Sequence, residues 1–320
     1  MQNVLVTGGA GLVGGHVIDE VFRVNPRARV VVLVQFLDPR SYFVSSGLKD
    51  RVTLVFGDIR DDNTVRDCVF NHEIDTIFHL AAQPIVQTAL ANPRQTWDTN
   101  LMGIVNVMEA ARTSKLVKAV VVASSDKAYG DAKFQPYTED HPLEGLHPYD
   151  TSKSCTDLIA RSYAKCYNVP VIVTRFGNIF GPGDLNFNRL IPGAMSAIAT
   201  GEDLLIRSDG KLTRDFVYVK DVAHVYIMLA EQADKYKGEA FNCTSGVNKS
   251  VIDMLEFIGE ALHRPVPYTI LNEAKHEIPD QALSDKKIRE TFNWKPRRQL
   301  DENLRETWEW YAELFRRHQL

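Results

Sequence analysis

Three groups of residues in this chain have types and spacings that can do chemistry. The first is Gly8-Gly9-Ala10-Gly11-Leu12-Val13-Gly14, directly after the β-branched run Val4-Leu5-Val6-Thr7. Glycines there permit a tight turn and bring backbone N–H groups close to a pyrophosphate at a helix N-terminus. A glycine-rich turn without a ligand has the same composition, but its place between a strand and a helix favours dinucleotide binding. The second group is Tyr149-Asp150-Thr151-Ser152-Lys153. A Tyr and a Lys four apart share one helix face. A nearby ammonium favours phenolate, so Tyr149 is expected to act as a base well below the ordinary tyrosine pKa of about 10. Lys153 can also hold a cofactor ribose; a surface tyrosine stacked on a lysine stem is the plainer alternative. The third group is Ser124-Ser125-Asp126-Lys127, at the end of the apolar run Ala119–Ser124. Its hydroxyls can donate to a substrate oxygen beside Tyr149. Asp126-Lys127 is either an acid–base pair or an ion pair that fixes the loop.

Further candidates lie along the same half of the chain. The second apolar run continues as Gln35-Phe36-Leu37-Asp38-Pro39-Arg40, with no acid at the strand end itself. Asp38 offers a carboxylate to the ribose hydroxyls of NAD, and Arg40 a guanidinium to the 2′-phosphate of NADP; each reads equally well as a solvated loop charge. This segment leaves NAD and NADP both open. Asp58, after the third run, can accept from an adenine amino group or cap a helix.

The elements that must position these groups follow from periodicity. Val4–Thr7, Arg29–Val34, Val52–Phe56, Thr76–Leu80, Ala119–Ser124 and Val171–Phe176 read as parallel strands covered on both faces. Gly14–Arg23, Asn63–Asn71, Pro93–Thr113 and Tyr149–Tyr167 read as helices between them. That alternation implies an α/β fold, a doubly wound parallel sheet of Rossmann type. Beyond Phe176, Gly177–Gly183 reads as a loop, Leu190–Thr200 as a helix, Phe216–Val219 as a strand, Asp221–Ala233 as a helix and Ala240–Thr244 as a strand. The expected division is a dinucleotide-binding domain over 1–178 plus 216–245, and a smaller α/β substrate-binding domain over 179–215 plus 246–320.

Bulk properties narrow the function classes. The 320 residues carry a net charge of −4, which argues against a strongly basic nucleic-acid binder. Hydrophobic residues at 44% and charged residues at 24% argue against wholesale disorder. Cys68, Cys155, Cys166 and Cys243 lie far apart, with neither metal-ligand spacing nor a disulfide framework, as in a cytoplasmic enzyme. No metal site, membrane span or cleaved signal peptide is expected.

Taken together, Gly8–Gly14, Asp58-Ile59, His79-Leu80-Ala81-Ala82, Asn100, Ser124-Ser125, Tyr149 with Lys153 and Arg214-Asp215-Phe216 resemble the extended short-chain dehydrogenase/reductase superfamily, whose members modify nucleoside-diphosphate sugars. The resemblance implies that Gly8, Gly11, Leu12, Val13, Gly14, Asp38, Asp58, Ile59, Leu80, Ala81, Ala82, Asn100, Tyr149 and Lys153 bind the dinucleotide. It makes Ser125, Tyr149 and Lys153 catalytic, and has Arg214 contact the substrate diphosphate. His79-Leu80-Ala81-Ala82-Gln83-Pro84, Ser124-Ser125-Asp126-Lys127-Ala128-Tyr129, Gly177-Asn178, Gly181-Pro182-Gly183-Asp184, Arg189-Leu190-Ile191-Pro192 and His276-Glu277 before Asp285 are similar to CDP-glucose 4,6-dehydratases. Tyr129-Gly130-Asp131 is closer to the epimerase branch. The resemblance thus implies a sugar-nucleotide 4,6-dehydratase using bound NAD, with Asp126 as acid and Lys127 as base, and with Gln83, Asn178, Arg189, Leu190, Arg214 and Asp285 at the substrate. A 4-epimerase is the alternative; a regulator without catalysis is disfavoured by intact Ser125, Tyr149 and Lys153. The superfamily also implies a homodimer, with Met102, Val105, Val107, Leu158 and Ile159 as candidate contacts. His79, Trp294 with Pro296, and Trp308–Tyr311 read as packing residues, and Arg297-Arg298 as a solvated pair.

Overall fold

The protein is described from a computed structural model covering residues 1–131, 134–273 and 280–318. His276 and Glu277 lie outside the described residues. The strands are β1 (Asn3–Thr7), β2 (Arg29–Val34), β3 (Thr53–Phe56), β4 (Thr76–His79), β5 (Ala119–Ala123), β6 (Val171–Phe176), β7 (Asn178–Phe180), β8 (Leu204–Ile206), β9 (Thr213–Tyr218), β10 (Ala240–Cys243), β11 (Val247–Ser250) and β12 (Tyr268–Ile270). The helices are α1 (Leu12–Val24), α2 (Tyr42–Ser45), α3 (Asp62–Asn71), α4 (Val86–Ala91), α5 (Pro93–Thr113), α6 (Pro148–Tyr167), α7 (Leu190–Thr200), α8 (Val219–Ala230), α9 (Val251–Leu262), α10 (Lys286–Phe292) and α11 (Leu300–His318). A 3₁₀ turn spans Asp126–Tyr129.

Seven parallel strands form the central sheet, in the order β10-β6-β5-β4-β1-β2-β3. Successive side chains point to opposite faces, and here both faces are covered. Val4, Val6, Val30, Val32, Val121 and Ile172 pack against α1 and α8. Leu5, Val31, Leu33, Ile77, Val120 and Val122 pack against α3, α5 and α6. The reading of all six apolar runs as doubly covered holds for β1, β2, β4, β5 and β6. It does not hold for β3, an edge strand whose Thr53 and Phe56 are exposed.

The order reverses between β1 and β4, so the carboxyl ends of those strands open a crevice. Over that end sits a second group of elements, where α7, α9 and α11 share a core with β7 and β9. A three-stranded sheet runs β11-β9-β7, and β12 pairs with β8. Two local expectations change here. Gly177–Gly183 holds a short strand, β7, because pairing with β9 supplies hydrogen bonds that its Gly, Asn and Pro content did not announce. Val219 begins α8 rather than ending a strand, and α8 stops at Ala230. Both chain segments of this region return to the sheet: α8 lies on α1, and β10 extends the sheet beside β6.

Candidate functional site

The glycine-rich turn is shaped by what a side chain would strike. Gly8 has φ +71°, and a Cβ there would stand 2.8 Å from the backbone of Ala81. A Cβ on Gly14 would lie 2.4 Å from the Gly8 carbonyl oxygen. The turn is closed by Gly11 N–H donating to Gly8 O at 3.0 Å. α1 begins without a side-chain cap and without an acid in its first turn, so its N-terminal N–H groups stay available to an anion. On the β4 side, Thr7 Oγ1 lies 2.8 Å from His79 Nδ1 and accepts from Leu80 N and Ala81 N. Burial pushes His79 down to about 3, the behaviour of a neutral core histidine that fixes the turn.

A cleft of about 730 Å³ runs from this turn across the carboxyl ends of the strands. It brings together Gly8, Gly11, Leu12, Val13, Gly14, Asp38, Ile59, Leu80, Ala81, Ala82, Ser125, Asp126, Lys127, Tyr149, Lys153, Asn178 and Arg189 from the sequence-predicted set. Residues that sequence reasoning missed complete the wall: Gln35, Phe36, Asn186, Asn188, Arg207 and Tyr226. The run Asp184-Leu185-Asn186-Phe187-Asn188, polar at alternate positions between a glycine loop and a helix, was the available signal for the two asparagines.

Other expected site residues are placed elsewhere. Asn100 is buried beneath the cleft; its oxygen accepts from Gln83 N at 2.7 Å and its nitrogen donates to Ser152 Oγ at 2.8 Å. Gln83 turns its amide onto Thr96 Oγ1 and Ile85 O, shaping the loop rather than facing the cleft. Asp58 accepts from Gln35 Nε2 and the Arg60 guanidinium on the outer surface, and Arg60 holds its carboxyl below the usual range. Leu190 starts α7 behind the wall. Arg214 donates to the Thr213 carbonyl at 2.8 Å, and Asp285 accepts from Arg289 at 2.5 Å; neither lines the cleft. Asp38 does line it, with its carboxylate gripped by the backbone and guanidinium of Arg40. That pairing occupies the guanidinium offered to a 2′-phosphate.

At the centre, β5 delivers Ser124 and Ser125. Ser125 Oγ accepts from Lys127 N at 3.2 Å, capping the 3₁₀ turn, and donates to Asp126 Oδ1 at 2.9 Å. The Tyr149 hydroxyl lies within its reach in the same cleft. Pro148 starts α6, and four residues beyond Tyr149 Lys153 donates to the Ala123 carbonyl at 2.9 Å. Its Nζ stands 5.9 Å from the Tyr149 ring centroid. The expected fall in the Tyr149 pKa is not what this environment gives. Burial is the dominant influence and pushes the phenol up to about 12, while the same burial pulls Lys153 down to about 8. At about 8 Lys153 is still mainly an ammonium at neutral pH, and burial remains the larger influence on the Tyr149 phenol. Asp150 and Asp215, both buried, are each pushed up to about 6 by desolvation, so they take up protons only as the pH falls toward that value.

Among the described residues no group of His, Cys, Asp and Glu is arranged to hold a metal, and no helix is long and apolar enough to cross a membrane.

A parallel sheet, an uncapped helix behind a glycine turn and a Ser–Tyr–Lys group in one cleft define a dinucleotide-dependent enzyme scaffold. Residues 4–244 match the NAD dependent epimerase/dehydratase family, and the chain belongs to that family. It is 28% identical to a trifunctional UDP-glucose 4,6-dehydratase/UDP-4-keto-6-deoxy-D-glucose 3,5-epimerase/UDP-4-keto-L-rhamnose-reductase of Arabidopsis thaliana, over 98% of this chain and 47% of that protein. The chain thus spans about half the length of that relative. It is 30% identical to a UDP-N-acetyl-alpha-D-glucosaminuronate decarboxylase of Bacillus cytotoxicus, over 98% of both chains. Among solved structures, dTDP-glucose 4,6-dehydratase of Bacillus anthracis, in complex with NAD, superposes with TM-score 0.86 at 25% identity, covering 99% of this chain and 98% of that one. UDP-glucose 4-epimerase of Thermotoga maritima, with UDP-glucose, superposes with TM-score 0.87 at 25% identity, covering 97% and 99%. The cofactor of the family is NAD, and the glycine cradle and free α1 terminus fit its pyrophosphate.

Proposed function

We propose that the protein is a nucleoside-diphosphate-sugar 4,6-dehydratase that converts a CDP-glucose-like substrate into a 4-keto-6-deoxy sugar nucleotide. The observation that carries this reading is the position of Asp126 and Lys127, which line the same cleft as Ser125 and Tyr149. A 4-epimerase needs only the pair that acts at the C4 oxygen. A dehydratase needs in addition a base at C5 and an acid at the C6 oxygen.

When bound, NAD supplies a hydride acceptor and donor, so loss of water is redox-neutral overall. Tyr149 takes the proton from the C4 hydroxyl, and Ser125 orients that oxygen. Lys153 adds positive charge beside the developing phenolate. Once C4 is a ketone, Lys127 as a neutral amine removes the C5 proton. The electrons of that C–H bond form the C5–C6 double bond. The C6–O bond breaks, and Asp126 protonates the departing hydroxyl, which leaves as water; with the hydride taken from C4 restored at C6 and the proton on Lys127 returned to C5, the 4-keto-6-deoxy sugar results. Asn178 and Arg189, with Asn186, Asn188 and Arg207, form the end of the cleft that suits a nucleoside diphosphate. In this reading residues 1–178 and 216–245 carry the cofactor, and 179–215 with 246–320 carry the sugar nucleotide. The protein works as a homodimer in which α5 and α6 pair across a two-fold axis. Met102 and Leu158 are exposed there, whereas Val107 is buried on its own sheet and cannot contribute.

The second reading, 4-epimerisation, is favoured by the Thermotoga neighbour. Mass spectrometry after incubation with CDP-, GDP-, UDP- and dTDP-sugars separates the two. Loss of 18 mass units (about one water) from a CDP-hexose supports the dehydratase; isomerisation at C4 with no dehydrated product from any sugar refutes it.

A further inference from the structure

The turn that carries Asp126 and Lys127 meets a segment 154 residues further along the chain. Gln281 is 1% exposed, and its side-chain oxygen accepts a hydrogen bond from Lys127 Nζ. A lysine head group offers only donors when charged, which fixes the amide with its oxygen toward Lys127. The backbone on either side is anchored. Gln281 N donates to Thr213 O at 3.2 Å, Asn248 Nδ2 donates to Gln281 O at 2.9 Å, and Leu283 N donates to Asp215 Oδ2 at 2.5 Å. The other end of the amide, Nε2, is buried without a hydrogen-bond partner. An aliphatic side chain of the same size would avoid that penalty. An amide is retained here although burial argues against it, and the contact it makes is with Lys127.

We propose that Gln281 is a positioning residue for Lys127: a neutral acceptor that holds Nζ at the cleft without supplying the negative charge that would keep it an ammonium. The inference rests on the reading of Lys127 as the C5 base. A neutral amine keeps two N–H donors and gains one lone pair. One donor stays with Gln281 Oε1, and the lone pair is free for the C5 proton. A carboxylate at the same place would hold the nitrogen equally well but would favour its charged, inactive form. Among the described residues, charged groups near this turn include Asp126 on the turn itself, Asp150 on α6, which interacts with Lys127, and Asp215 on β9, which interacts with Asp126. Burial pushes Asp150 and Asp215 each up to about 6, so their pull on the lysine weakens below that pH and is largely present above it.

The experiment compares wild type, K127A, Q281E and Q281M with bound NAD and the panel sugar that the wild type dehydrates. Two signals are followed in each sample: absorbance of the reduced cofactor in a single turnover, which reads C4 oxidation, and water loss across pH. Water loss requires neutral Lys127, so its rate falls on the acid side. Q281E is expected to move that acid limb up by about one pH unit or more, because an adjacent opposite charge favours the ammonium. Q281M is expected to slow water loss roughly 10–100-fold through misplacement of the amine. Both variants should keep C4 oxidation, which also reports that they fold. An unshifted limb in Q281E, or equal loss of both steps in either variant, overturns the positioning role. If K127A dehydrates like the wild type, the base reading itself fails and takes this inference with it; if K127A is inactive while Q281E keeps the wild-type profile, only the role of Gln281 falls.

Discussion

Asp157→Asn should destabilise this protein far more than its size suggests. Asp157 and Arg175 are both fully buried, and their contact is bidentate: Arg175 Nε to Asp157 Oδ2 at 2.7 Å, and Nη2 to Oδ1 at 2.9 Å. Arg175 also donates from Nη1 to the Tyr129 hydroxyl at 2.6 Å, and that hydroxyl donates to Asn242 Oδ1 at 2.6 Å. Removing the carboxylate charge leaves a guanidinium in the interior with only neutral acceptors. Breaking a buried pair in this way costs about 3–5 kcal/mol. At a few degrees per kcal/mol, the Tm should fall by roughly 5–15 °C. The converse change is milder. In Arg175→Met, Asp157 keeps Arg161, whose Nη1 lies 3.7 Å from Oδ1 and whose side chain is 43% exposed, so the carboxylate retains a solvated partner. Asp157→Leu combined with Arg175→Met removes both charges and should recover most of the loss. Thermal and urea unfolding of the four proteins by circular dichroism tests the order. A milder loss in Asp157→Asn than in Arg175→Met, or a double variant as unstable as the two losses added, would show that a stranded guanidinium is not what sets the cost.

Three further outcomes follow from the geometry. Tyr149→Phe removes the hydroxyl that lies beside Ser125 in the cleft and should reduce single-turnover cofactor reduction by at least about 100-fold, read at the absorbance of reduced NAD; near-normal reduction would place the proton acceptor elsewhere. Lys153 titrates near 8 in the folded chain against 10.5 when unperturbed, so the unfolded chain binds more protons between those values. Its contribution to stability therefore rises with pH across that window, and the difference in unfolding free energy between wild type and Lys153→Met should change there and be flat below about pH 7. Gly8→Ala places a Cβ against Ala81 in left-handed backbone and should weaken NAD binding about 10-fold or more, measured by calorimetry, while Gly47→Ala, also left-handed but with open space around it, should leave binding unchanged.

The sheet was legible because its strands announce themselves. Arg29–Val34 and Val171–Phe176 are short runs rich in Val, Leu and Ile between turn signals, and the structure gives them those bounds. β7 was not legible, since Asn178–Phe180 forms a strand only because β9 lies beside it. The glycine turn and the Ser125–Tyr149–Lys153 group are local signatures, readable from spacing. The electrostatics of Tyr149 were not. Spacing puts Lys153 one turn away, but only the packed structure reveals that Ala123 O takes its proton donor and that burial is the largest influence on the phenol. Gln281 was invisible for a similar reason: nothing in its neighbourhood along the chain points to Lys127.

Among the described residues the backbone passes between the central sheet and the elements above it at Gly177 between β6 and β7, at the direct junction of β9 with α8 at Tyr218–Val219, and at residues 244–246 between β10 and β11; α10 then returns to the sheet through Ile288 before α11 joins the second core. Several short crossings leave little freedom for one half to swing open on the other, as a single linker would allow. Exchange of substrate must therefore proceed through the mouth of the cleft by loop and side-chain movement. It also follows that this protein cannot be re-equipped with a relative's specificity by a single splice. A transplanted carboxyl-terminal half would bring a foreign α8, β10 and α10 into a sheet built for the resident ones, so a working chimaera needs a matched cut at each crossing.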